Sequence, residues 1–276
     1  MKYMTFNSSC SYAGVANMLE SFQISVEDRQ IALDMGLPYL FSYENGTYCS
    51  GPMLQTAEWF NLYLKPRGFF MSETRLMKGE VCTFLQKNIP AMLGLAVSPQ
   101  GKHAFVCIEA GMKGKRYCFL NNKSQNSPEP ESICFTEEEL LPLLGDSVIV
   151  AVLQKSPPLA ENLTPYLQKS ADTLLMLKKD IKSFCCKEQT PQALRAAQNT
   201  LFRAILLDGI TMLELLENED LRKALQAIRR DFLTALKENK TLILADRISV
   251  DHFEDAIDTY RDMILAFMQN RLKFVF

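Results

Sequence analysis

The chain has 276 residues, 47% of them apolar and 22% charged, a globular balance that excludes a wholly disordered protein. Thirty basic and 32 acidic residues leave a net charge of −2, which argues against a nucleic-acid binder that works by neutralising phosphates. No run of about 18 apolar residues exists to cross a membrane as a helix.

The N-terminal stretch MKYMTFNSSCSY carries one Lys and no apolar run, so no secretory signal is expected. A cytoplasmic setting follows, with the eight cysteines as reduced thiols. None of them sits in a zinc-type cluster, and His103 and His252 are the only histidines, so no metal site is expected.

In chain order, residues 11–22 read as a helix with Ala13, Ala16, Leu19 and Phe22 on its apolar face. Ser25 with Asp28 forms a capping-box pattern for a second helix. Gly46–Thr47 reads as the opening of a third, holding Leu54, Ala57, Trp59 and Phe60, and residues 76–87 add one more. The period then changes to strands at 89–97, 102–110, 115–121 and 147–154, with a hairpin-like turn at Met112–Lys115. Thr136 with Glu139 caps a short helix before the last strand. Helices followed by antiparallel strands are an α+β signature.

Beyond residue 155 the character changes. Eleven of the twelve glycines precede residue 146, and KSPPLAEN (155–162) reads as a linker. Residues 1–155 are therefore expected to form one domain and 156–276 an α-helical one. Thr164–Pro165 and Thr190–Pro191 are cap-plus-proline helix starts, and Asn218 and Ser249 cap two further helices. Four helices with short links suggest a bundle. Its 17 basic and 17 acidic residues give no polyelectrolyte preference, so it reads as a cap or a dimerisation element.

Chemistry concentrates in three residues. Cys10 stands at the start of the first helix, where the dipole and unpaired N–H groups favour a thiolate and can hold an oxyanion. His103 starts the second strand, and alternation places Phe105, Cys107 and Glu109 on its face. It is the sole His-type base of the first domain. Asn121 ends the next strand and, if the two strands form a hairpin, lies beside His103. Nucleophile, base and orienter are then of Cys–His–Asn type. Cys49 precedes another helix-start pattern and is the weaker nucleophile candidate. Cys107 and Cys118 read as strand core, and Cys185–Cys186 point to different helix faces.

Over residues 5–154 the order of these motifs resembles the papain-like superfamily. CSYAGVANML, GTYCSGPMLQTAEWFNLYLKPRGF and IPAMLGLAVSPQGKHAFVCIEA followed by KRYCFLNNKS are similar to segments of bacteriocin-processing double-glycine peptidases. A narrower similarity is to the N-terminal domain of butirosin-biosynthesis-type acyltransferases. The resemblance implies a papain-like fold, with Cys10 as nucleophile, His103 as general base and acid, and Asn121 as orienter. The chain departs from the pattern at Met4, where papain-like enzymes carry an oxyanion Gln; Asn7 is the candidate substitute. Ser11 stands where the peptidases have Gly, and Asn121 where they have Asp. The expected function is acyl transfer through a Cys-acyl intermediate from a peptide or small acyl substrate, free or carrier-bound, to water or an amine. No cofactor is expected. The alternative is a papain-like module that binds or regulates without catalysis.

Overall fold

The computed structural model describes residues 1–98, 101–111, 116–122 and 132–272. They form two compact units, one made of residues 1–35 and 55–161, the other of 36–54 and 162–276. The later crossing between them lies at Glu161–Asn162. Residues 36–54, which precede it, group with the helical unit. Ser170 Oγ accepts from the Phe41 N–H, Tyr48 Oη donates to Asp180, and Ser50 Oγ donates to the Ala204 carbonyl. A composition scan cannot see such a segment, because these partners lie 129 to 154 residues away.

Within 36–54 the structure corrects the expected helix start at Gly46–Thr47. Strands β1 (Phe41–Glu44) and β2 (Thr47–Ser50) form a hairpin instead. Asn45 and Gly46 both take positive φ, 51° and 79°. That pair of left-handed residues makes the two-residue turn whose twist matches paired strands.

In the first unit, α1 (Cys10–Glu20), α2 (Asp28–Asp34) and α3 (Ala57–Leu64) precede a six-stranded antiparallel sheet. Its strands are β3 (Phe69–Met77), β4 (Ala91–Ser98), β5 (Gly101–Ala110), β6 (Arg116–Asn121), β7 (Ser132–Thr136) and β8 (Ser147–Lys155), in the order β3-β8-β4-β5-β6-β7. The α+β expectation holds, with β4, β5, β6 and β8 close to their expected ranges. The edge strands β3 and β7 went unread. β3 carries the polar run Ser72–Arg75 and hides little of itself, so it lacks a strand's apolar alternation. Only Val81–Leu85 of the expected helix at 76–87 is α-helical, as α4. The turn expected at 112–115 lies outside the described residues.

One sheet face packs Leu93, Phe105, Cys107, Tyr117, Phe119 and Val150 against Val81, Cys82 and Leu85 of α4. Here β5 departs from simple alternation. The β5–β6 register shifts between Cys107 and Glu109, so Ile108 is a bulge residue, and Glu109 does not share the face of Cys107. Cys118 and Cys134, opposite each other on β6 and β7, form a disulfide. This corrects the expectation that all cysteines are free; directly opposed strand positions bring the two side chains within bonding reach. Thr136 and Glu139 make the expected capping box for α5 (Glu137–Leu140).

The other sheet face carries α1. Asn17 in α1 donates to Asn122 Oδ1, and Asn122 Nδ2 donates to the Ala104 carbonyl at 3.0 Å. Gly14 faces Met92 and Asn122 so closely that a Cβ there would overlap the Met92 sulfur.

A second anchor precedes Cys10. The Asp28 carboxylate, fully buried, accepts from the Thr5 N–H at 2.7 Å, the Thr5 hydroxyl and the Ser9 hydroxyl. The expected Ser25–Asp28 capping box is therefore not formed. The helix begins at Asp28 itself, and Ser25 accepts from Lys2 Nζ.

The helical unit contains α6 (Thr164–Cys185), α7 (Pro191–Ala197), α8 (Ile210–Leu215), α9 (Glu219–Lys237) and α10 (Val250–Leu272). Thr190 and Asn218 cap as expected, accepting from Ala193 and Leu221. Residues 198–202 and 204–209 widen into π-helical turns that continue α7 towards α8. The short strands β9 (Glu188–Gln189) and β10 (Leu242–Ile243) pair antiparallel. Phe202, Phe232 and Phe253 cluster in the core, and Tyr260 Oη donates to the Pro38 carbonyl.

Replacing Asp28 by Ala removes a buried acceptor from four donors, the Arg29 N–H among them. The expected cost is about 3 kcal/mol, given net values of roughly 1.5–3 kcal/mol for a hydrogen bond to a charged group. Urea unfolding followed by the fluorescence of Trp59, the one Trp and a residue of this unit, measures it. A loss below about 1 kcal/mol would mean that other contacts hold Thr5 and Ser9.

Candidate active site

The site lies in the first unit, on the sheet face that carries α1. A cavity of about 330 Å³, within reach of small-molecule sites, is lined by Cys10, Ser11, Gln55, Met92, Lys102 and His103, among others. Cys10 and His103, far apart in sequence, share it. Cys10 is half-buried at the first residue of α1. Ser9, at the N-cap position, makes no side-chain cap because its hydroxyl is committed to Asp28. The first helical turn thus keeps N–H groups that an anion could use.

His103 enters from the beginning of β5. Regular alternation would send it with Phe105 towards the core, and its ring does sit edge-on to Phe105 at 6.1 Å. The β4–β5 register shifts between Leu95 and Ser98, which loosens the pleat at this end. His103 lines the cavity from this rim.

Asn121 does not line the cavity. It pairs with Phe105 across β5–β6, which makes it the diagonal neighbour of His103 on one side of the sheet. It is 3% exposed, and its Oδ1 has no hydrogen-bond partner among the described residues. The adjacent Asn122 serves differently: it ties α1 to β5 and so sets the height of Cys10 over the sheet.

Asn7 and Met4 are not among the cavity residues, and Asn7 is exposed. Four polar cavity residues that the sequence did not single out are Gln55, Thr56, Glu73 and Lys102. Glu73 Oε1 accepts from the Ala57 N–H at 2.9 Å, placing a carboxylate at the positive end of α3. The Lys102 stem crosses Gly94, and its Nζ reaches towards Gly145, which is not a cavity residue. Gln55 Oε1 accepts from the Ser11 hydroxyl at 2.8 Å. Sequence carried no signal for this contact, since Ser11 and Gln55 are 44 residues apart.

Other cysteines are chemically quieter. Burial pushes the Cys107 thiol up to about 12 and Cys185 likewise, and it raises Cys82 and Cys49. Among the described residues no group of three or more His, Cys, Asp or Glu side chains is placed to hold a metal ion. No helix of the described residues is long and apolar enough to cross a membrane. A cavity in the helical unit, lined by Phe202, Arg203, Leu206 and Phe232 among others, holds about 60 Å³ and offers no nucleophile.

No protein-family model matches the chain, and no curated protein matches it. Among solved structures, the peptidase domain of Streptococcus ComA, a bi-functional ABC transporter involved in a quorum-sensing pathway, is similar at 10% identity and a TM-score of 0.38. The match covers 55% of this chain and 96% of that one.

The burial pattern predicts selective labelling. Iodoacetamide at pH 8 on the folded protein should modify Cys10 and the exposed Cys186, and leave Cys49, Cys82, Cys107 and Cys185 intact. Cys118 and Cys134 should label only after reduction. Peptide mapping by mass spectrometry reads the pattern, and modification of Cys107 ahead of Cys10 would contradict it.

Proposed function

We propose that the first unit is a papain-like, thiol-dependent acyl-transfer site with Cys10 as nucleophile. One observation carries this reading: a cysteine at an uncapped helix N-terminus and the unit's sole histidine line the same cavity. A thiol next to an imidazole is the pair that nucleophilic acyl transfer needs.

In this reading His103 takes the Cys10 proton, and the thiolate attacks the carbonyl carbon of an amide, ester or thioester. The carbonyl oxygen becomes an oxyanion near the first-turn N–H groups of α1. Collapse expels the leaving group, which His103 protonates. Water or an amine then attacks the acyl-thioester with His103 as base. Asn121 would orient the imidazole through its Oδ1. A buried carbonyl oxygen without a partner costs about 1–3 kcal/mol, and accepting the imidazole N–H would remove that cost. The cavity walls formed by Met92, Leu93, Ile149 and Ala151 suit an apolar acyl group or side chain. The acyl donor is a peptide or small acyl compound, and water and amines are both acceptable second substrates.

A binding module without catalysis is the second reading, and the absence of Asn121 from the cavity favours it. The two separate on one measurement. In an acyl-transfer enzyme, His103→Ala slows alkylation of Cys10 at pH 7 at least about ten-fold, because an unpaired thiol with a pKa of about 8.5 is only a few per cent thiolate there. Equal rates in the wild type and His103→Ala would leave the binding module.

A further inference from the structure

We propose that the side-chain amide of Gln55 is the oxyanion donor of the Cys10 site, positioned by the hydroxyl of Ser11. The inference rests on the acyl-transfer reading of Cys10 and His103. An oxyanion hole can join backbone N–H groups to a side-chain amide, and helix α1 supplies the backbone N–H groups. Asn7, the nearest upstream amide, is exposed and does not line the cavity. Among the described cavity residues Gln55 is the one with a side-chain amide.

Its orientation is set. Ser11, directly after the nucleophile, donates to Gln55 Oε1 at 2.8 Å, so the amide oxygen is occupied. That leaves the Nε2 end, with its two N–H donors, to serve a second acceptor. The segment that carries Gln55 is held too, because Glu73 clamps the Ala57 N–H two residues later. Donors fixed before the charge develops are the ones that lower a barrier. Lys102 is the competing donor, but its ammonium group reaches towards Gly145.

The test compares two reactions of Cys10 that differ in one respect. With p-nitrophenyl acetate, the thiol proton passes to His103 and the sulfur–carbon bond forms. The carbonyl pair moves onto oxygen, then returns as p-nitrophenolate leaves with the electron pair of its C–O bond. With iodoacetamide the thiolate displaces iodide, and no charge develops on a carbonyl oxygen. Gln55→Ala and Gln55→Met should therefore slow acetylation by roughly 100- to 1000-fold, the usual loss for one oxyanion donor, and alkylate at the wild-type rate. Ser11→Ala should slow acetylation by a smaller factor with alkylation again unchanged. Gln55 is exposed, so the variants should fold; if Gln55→Ala melts early, Gln55→Met, neutral and of similar length, decides.

Wild-type acetylation that persists undiminished in both Gln55 variants overturns the proposal and leaves the acyl-transfer reading standing. So does a loss seen in Lys102→Met and not in Gln55→Met. If wild-type Cys10 is not acetylated, and its alkylation ignores His103, the underlying reading falls and the proposal with it.

Discussion

The seating of α1 on the sheet is the contact on which the site depends. Cys10 belongs to the helix and His103 to β5, so any slip between the two elements separates them. The Asn17–Asn122–Ala104 chain of hydrogen bonds crosses that joint. It is buried, which makes it directional as well as adhesive: a buried amide that loses its partner costs about 1–3 kcal/mol. Apolar contacts alone would tolerate sliding, whereas an amide pair accepts one register. Gly14 allows the close approach, because a larger residue there would meet Met92 and Asn122.

A second constraint fixes what comes before the helix. Asp28 gathers Thr5 and Ser9 around one buried carboxylate. Ser9 would otherwise be free to cap α1. Drawing it away to Asp28 leaves the helix N-terminus open next to the cysteine. Structural bonding on one side of the turn thus creates an electrostatic feature on the other. Glu73 acts in the opposite way at α3, where it closes the N-terminus behind Gln55. One helix start is open and one is closed, and both border the same cavity.

Local sequence signals were readable where short-range physics decides. The capping box at Thr136–Glu139 and the caps at Thr190 and Asn218 each involve residues three apart. Strands β5, β6 and β8 carry β-branched or aromatic residues, and β4 is a short apolar run after a proline. At residues 45–47 two local signals compete. Asn45–Gly46 is a hairpin turn, and taking Gly46 as a helix start overlooked what that dipeptide does to φ. Edge strands β3 and β7 bury little and so carry no apolar rhythm.

By itself the sequence determined the α+β order of the first unit, the helical character of the second, and a Cys, a His and an Asn worth testing as a set. These follow from periodicity, caps and residue chemistry, which act over a few positions. Tertiary structure alone decided the rest. It brought Cys10 and His103 to one cavity, left Asn121 beside β5 and outside that cavity, and gave Asn122 the work of holding α1. It also joined Cys118 to Cys134, moved residues 36–54 into the helical unit, and set Gln55 against Ser11. Each of these is a contact between segments whose separation along the chain leaves no periodic trace, so it comes into being only when the chain packs.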